Sequence, residues 1–266
     1  MYKGFQVELN QNFTPFRRRS FDTYVTEGRR RMRSQSNDIK DVLSDFIRNN
    51  GDIDGKLLSE SWFQAINSHV FLSHSHADED LAIAFSQWLY EAFGLRVFID
   101  SMVWGYADNL LKEIDDKWCL TDDKRHYRYS LRNRTTAFVH ILLASALTQM
   151  MDKSESLIFL NTPNSIIPDP NSQETHSPWI YYELNQSVSI RKELARTRLF
   201  NQGGKVVLNE SFSVALPATT SHLTNLTAKM LLEWKNVVDT NGYTKRPLAS
   251  LDILYQLINN TKNGNR

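Results

Sequence analysis

The chain has a single cysteine, Cys119, in 266 residues. No intrachain disulfide can form, so the fold rests on its core alone, and a reducing, cytoplasmic setting is expected. Long apolar runs are also missing. The longest candidate, residues 137–147, is interrupted by His140 and falls short of the roughly 20 residues that cross a bilayer. Residues 1–8 (MYKGFQVE) hold no apolar leader core, so no signal peptide is expected. Charge of one sign is absent as well: 31 Lys and Arg face 30 Asp and Glu, a formal net charge of +1. That balance argues against a generally basic nucleic-acid surface, though not against a local patch. The sequence carries no phosphate-binding glycine loop and no nucleophile-elbow glycine pattern around Ser73 or Ser75. It shows no internal repeat.

What remains is a chain able to bury a core. Hydrophobic residues make up 41% and charged residues 23%, as in ordinary globular proteins. The length fits one large domain, or one domain with additions.

The most ordered pattern lies in residues 69–100. His69-Val70-Phe71-Leu72-Ser73 is a short apolar run suited to a buried strand. A polar turn, His74-Ser75-His76-Ala77-Asp78, follows, and Asp78 or Ser75 can cap the next helix. Leu81, Phe85, Trp88, Leu89 and Ala92 recur at helical spacing, and Gly94 stops the helix. Leu95-Arg96-Val97-Phe98-Ile99-Asp100 then reads as a second buried strand. Two apolar strands joined by an amphipathic helix predict a parallel sheet with a right-handed crossover. Ligands bind such sheets beyond the carboxyl ends of the strands, where residues 73–78 and 100–108 fall.

Along the rest of the chain, residues 1–66 read as a partly helical N-terminal extension. Its arginines (17, 18, 19, 29, 30, 31 and 33) fit a surface helix paired with acids better than a phosphate or lipid site, because few aromatics interleave. Residues 38–49 read as an amphipathic helix, and residues 52–68, with Trp62, Phe63 and Ile66, as a connector. Residues 101–109 read as a loop with aromatics that covers a site, and a helix is expected from about Asp108. Residues 121–134 read as an insertion and 136–151 as a long apolar helix, buried between neighbours or a self-association face. Residues 155–161 give another strand. Ser177 and Pro178 open a helix over 179–196. Residues 205–208 and 212–216 are short strand candidates, and 223–232 and 249–259 are helical.

Glu183 is the residue best placed for chemistry. It is expected in the first turn of a helix that follows a strand, with Trp179 at i−4 and Tyr181 and Tyr182 beside it. Aromatic rings there can wall a pocket, and the carboxylate can stabilise an oxocarbenium-like ribose cation or bind ribose hydroxyls. The plainer reading is that Glu183 only complements the helix dipole, and spacing alone leaves both open. His74, His76 and Asp78 lack the further ligands a metal would need, so no metal site is expected.

Three marks occur in order: His69-Val70-Phe71-Leu72-Ser73-His74-Ser75, then Val97-Phe98-Ile99-Asp100, then Ser177-Pro178-Trp179-Ile180-Tyr181-Tyr182-Glu183-Leu184. Together they resemble the Toll/interleukin-1 receptor (TIR) domain family over residues 67–225. The resemblance implies an α/β fold, a flavodoxin-like five-stranded parallel sheet with helices on both faces. A helical segment, 226–266, would pack on it. The likeness is to the stand-alone bacterial, NAD-cleaving signalling type of Thoeris-like anti-phage systems. It implies cleavage of NAD to nicotinamide and ADP-ribose or a cyclic isomer, with NAD a substrate and no cofactor. Glu183 would be catalytic and Trp179 would help form its pocket. Asp100 would lie near the nicotinamide ribose, and Ser75 and His76 would face the nucleotide. From its position and chemistry, Trp104 would close over a ring. The resemblance also implies TIR–TIR self-association and leaves room for a separate downstream effector. The sequence departs from the family in lacking the Arg-Asp-Pro-Gly type loop that receptors use for adaptors, and in having Ile180 where a cysteine is usual. Two rivals stand beside this expectation: a non-catalytic TIR interaction module, and a nucleoside deoxyribosyltransferase-like enzyme, which also uses a helix-start glutamate.

Overall fold

The computed structural model describes residues 3–35, 43–49, 52–55, 57–58, 67–169, 173–190 and 215–263, with backbone only at 34–35, 43–44, 101–106 and 261–263. The elements run β1 (Lys3–Val7), α1 (Thr14–Arg18), α2 (Phe21–Gln35), β2 (Val70–Ser73), α3 (Glu79–Phe93), β3 (Val97–Ile99), α4 (Ser101–Trp118) and α5 (Tyr129–Lys153). They continue with β4 (Ser156–Leu160), β5 (Glu174–Thr175), α6 (Pro178–Ser189), β6 (Leu216–Pro217), β7 (Thr224–Leu226), α7 (Ala228–Thr240) and α8 (Pro247–Asn263).

The main sheet has five strands in the order β3-β2-β4-β1-β7, with every neighbouring pair parallel. Helices cover both faces. On one, Phe5, Val7, Val70, Leu72, Val97, Ile99 and Ile158 meet α1, α3, α7 and α8. On the other, Phe71, Phe98, Leu157 and Phe159 meet α4, α5 and α6. The expected βαβ unit is present as β2-α3-β3. Leu81, Phe85, Trp88, Leu89 and Ala92 are all buried, and Gly94 ends α3 in the left-handed conformation (φ 71°).

The first strand changes the reading of the N-terminus. Residues 3–7 are not part of an appended arm: β1 lies between β4 and β7, pairing Phe5 with Ile158 and Thr224. A flavodoxin-like sheet runs 2-1-3-4-5. Counting β2 as first, the fourth place is filled here by the strand that begins the chain. The segment carries a period-2 signal, Phe5 and Val7 alternating with Gly4 and Gln6, but polar Lys3 and Gln6 disguise it. Gly4 leaves room for Leu223, whose Cδ2 lies 2.5 Å from where a Cβ would stand.

The arginine-rich helix packs on α3, as a helix pairing with acids should. Arg19 meets Glu27 (2.5 Å) and Glu91 (2.8 Å), Arg29 meets Asp80 (2.5 Å), and the Arg31 guanidinium lies 4.7 Å from the Tyr90 ring centroid. Gly28 sits at the crossing of α2 and α3, where an added Cβ would lie 2.6 Å from Ile83 Cγ2 and 3.0 Å from the Ile83 carbonyl oxygen. Gly28→Val is therefore expected to lower stability by about 1–3 kcal/mol through overpacking, read as a lower urea midpoint at unchanged slope.

Several local expectations are corrected. Residues 101–109 are not a loop but the start of α4. Ala107, Leu110 and Ile114 bury one face of it, and Gly105 costs only about 1 kcal/mol inside so long a helix. The expected insertion is shorter, a turn closed by a Leu120–Tyr127 bridge before α5 begins at Tyr129. Thr224–Leu226 is strand, so the following helix starts later, at Ala228. Of the helix expected over 38–49, residues 43–46 form one 3-10 turn, and 36–42 lie outside the described residues. The connector residues Trp62, Phe63 and Ile66, the strand candidate at 205–208 and the end of the 179–196 helix lie outside them too. Among the described residues, no helix is long and apolar enough to cross a membrane.

Candidate active site

The chain leaves β2 toward β3 on one side, and β4 flanks it on the other, so the sheet's switch point lies at the carboxyl ends of β2 and β4. Strand parity decides which side chains meet there. Ser73 follows Phe71 by two residues, so it faces the same helices as Phe71, in register with Phe159. Helix α6 crosses this face. Ser177 caps it by accepting from the Ile180 N–H (3.2 Å), with Pro178 in its first turn. Glu183 is then one turn further in than the sequence suggested, and no acid occupies the first turn. A role confined to the helix dipole loses its geometric basis, because that effect fades beyond the first turn.

Glu183 reaches the strand ends instead. Its Oε2 accepts a hydrogen bond from Ser73 Oγ at 2.5 Å, and its carboxyl lies beside that of Asp100, the residue after β3. Asp100 Oδ1 in turn lies 2.8 Å from His74 Nδ1, an ion-pair contact off the line of an aligned hydrogen bond. The four groups form one buried chain, His74–Asp100–Glu183–Ser73. Glu183 and Ser73 are 0% exposed, His74 3% and Asp100 4%. Three atoms of the chain, Glu183 Oε1 and both ring nitrogens of His74, are buried with no aligned hydrogen-bond partner.

Burial raises the Glu183 carboxyl well above the ordinary range, the Asp100 charge raises it further, and the Ser73 hydroxyl offsets part of this. Burial would lower His74, but the adjacent Asp100 carboxylate outweighs it and the imidazole is raised. The folded state thus holds a proton on Glu183 that the unfolded chain releases near the usual carboxylate pKa of about 4.3. Stability from this group is complete below that value and falls as pH rises toward the folded-state pKa. Glu183→Gln is permanently neutral and escapes the loss. Its melting temperature relative to wild type is therefore expected to climb between pH 5 and 8, measured by thermal denaturation across that range.

The loops around the chain are tied down. Asp78 does not cap α3; its Oδ2 accepts from Thr162 Oγ1 (2.5 Å) and its Oδ1 from Asn164 Nδ2 (2.8 Å), lacing the loop after β2 to the loop after β4. Ser165 Oγ accepts from the Thr162 N–H (2.7 Å), which fixes the second loop.

The predicted site residues divide. Glu183 and Asp100 are brought together. Ser75 and His76 lie on the adjoining loop, Ser75 half-buried and His76 exposed, outside the buried chain. The Trp179 indole is half-buried and meets His140 (5.9 Å between centroids) and Tyr182 (6.1 Å), both edge-on, so it ties α6 to α5. Trp104 falls in α4, and its side chain lies outside the described residues. Sequence reasoning did not place Ser73 and His74 beside Glu183. Their signal was strand parity and position at a carboxyl end. Among the described residues, no group of three or more His, Cys, Asp or Glu could hold a metal ion.

Comparison with protein-family models, with curated proteins and with solved structures finds no match to this chain.

Proposed function

We propose that the protein is a TIR-like enzyme that cleaves the nicotinamide–ribose bond of NAD, with Glu183 as its catalytic residue. The observation that carries this reading is the convergence of three separated sequence marks on one carboxylate: Ser73 from the first, Asp100 from the second and Glu183 from the third. In the reaction, the C1′–N bond breaks and its electron pair leaves on the neutral nicotinamide nitrogen. Positive charge is left at C1′ of the ribose, and the Glu183 carboxylate stabilises it. Water then adds through oxygen and loses a proton, giving ADP-ribose, or a nucleophilic atom of the same molecule adds and gives a cyclic isomer.

The closed chain favours a protonated Glu183. The cationic nicotinamide ring of NAD reverses that preference, since a nearby positive charge favours the carboxylate. Full burial of Glu183 also means that substrate entry needs an opening of the site, which suits an enzyme held off until assembled or triggered. On this reading the enzyme self-associates through TIR-like contacts in the cytoplasm, and its product signals to a separate effector in anti-phage defence.

A second reading is favoured by the same burial: Glu183, at 0% exposure, is a structural member of a non-catalytic interaction module. Incubation of NAD with concentrated protein, followed by separation and mass determination of products, decides between them. The enzyme releases nicotinamide with ADP-ribose or its cyclic isomer. The module leaves NAD intact, both alone and in lysate from phage-infected cells.

A further inference from the structure

A parallel sheet opens a crevice where two neighbouring strands send the chain to opposite faces. β2 and β4 are such a pair, side by side through Ser73 and Phe159. β2 leads into α3, which packs on the Val70 and Leu72 face, whereas β4 leads to α6, on the Phe71 and Phe159 face. The crevice between their loops therefore opens beside Ser73, the last residue of β2, whose hydroxyl donates to Glu183. It is bridged by one carboxylate. Asp78 Oδ2 accepts from Thr162 Oγ1 (2.5 Å) and Asp78 Oδ1 from Asn164 Nδ2 (2.8 Å). Both ends of the bridge are fixed. The Asp78 N–H donates to the Ser75 carbonyl (2.8 Å) in its own loop, and the buried Ser165 Oγ donates to the Leu160 carbonyl (2.9 Å) at the end of β4. Helix α3 gains no cap from Asp78, whose side chain bonds none of its N–H groups.

We propose that Asp78 is a latch: its two bonds hold the crevice closed over Ser73 and Glu183, and their release admits substrate. This rests on the NAD-cleaving reading for the identity of what enters, but the closure itself does not depend on it. Asp78 is a positioning residue that touches no reacting atom. The latch gives the full burial of Glu183 a cause that can be removed, and it places control of entry in the two loops rather than in α6.

Asp78→Ala removes both bonds, and Asn164→Ala removes one at an exposed side chain. Amide hydrogen exchange is followed in the substrate-free proteins, with NAD turnover and thermal melting measured on the same samples. In Asp78→Ala, exchange over residues 74–78 and 161–165 should quicken about tenfold or more, as expected when hydrogen bonds to an ionised carboxylate are lost, while β1 and β4 keep their protection. KM for NAD should fall by a similar factor with kcat little changed, because a larger share of molecules is open to bind. Asn164→Ala should do the same to a smaller extent and add nothing to Asp78→Ala, since both act through one bridge. Unchanged exchange in the two loops overturns the latch, whether or not NAD is cleaved. So does faster exchange with KM unchanged or raised, which makes the bridge a support that shapes the site. If Asp78→Ala loses protection throughout and melts early, Asn164→Ala decides by the same two readings. Quickened loops with NAD left intact by wild type and every variant keep the latch and remove the NAD-cleaving reading alone.

Discussion

Phe5→Ala should cost about 3–5 kcal/mol of folding stability, the range for emptying a buried aromatic site. Phe5 is 0% exposed, and its ring stacks on Tyr255 with centroids 6.3 Å apart. Tyr255 is itself anchored, its hydroxyl 2.6 Å from Ser156 Oγ on β4. The cavity would open in the middle of the sheet, between two strands that both pair with β1. The loss is expected as a lower midpoint in urea or guanidinium with little change in slope. Were residues 1–66 a solvated extension, the same substitution would fall within about 0.5 kcal/mol of wild type. A change that small would contradict the placement of β1 in the sheet.

Glu183→Gln has the largest expected effect on activity, a loss of about a thousandfold or more in NAD turnover. Removing one aligned group from a charge-stabilising site already costs about 10²–10³. Here the group is the only catalytic carboxylate the mechanism uses. Gln keeps the shape and can still accept from Ser73, so the fold survives, and the neutral amide relieves a buried carboxyl that sits beside Asp100. The variant should therefore be inactive and at least as stable as wild type, the pairing expected when a site keeps chemistry at the expense of stability. The pH profile follows from the same group. Wild-type turnover needs the ionised carboxyl, so it should rise with pH through the raised pKa of Glu183.

Much of the fold was legible because its signals are local. The run at Val70–Ser73, the stripe from Leu81 to Ala92 and the glycine stop at Gly94 need no partner to be recognised. The place of β1 was not legible, since Lys3–Val7 becomes a central strand only through β4 and β7, far along the chain. Residues 101–109 misled for a related reason: Gly105 and the aromatics suggest a loop, while burial of Ala107, Leu110 and Ile114 against a face formed by other elements makes them helix. At the site, Glu183 and Asp100 could be named from their positions at element ends. Their approach to each other depends on how α6 lies across the strands, and the His74–Asp100 pair on the pairing of β2 with β3, which no spacing along the sequence encodes.

The most direct test of the central claim is nicotinamide release from NAD by wild type and Glu183→Gln, side by side at high protein concentration. Release by wild type and none above background by the variant is expected, with both proteins folded. Equal release by the two would take Glu183 out of the chemistry and contradict it.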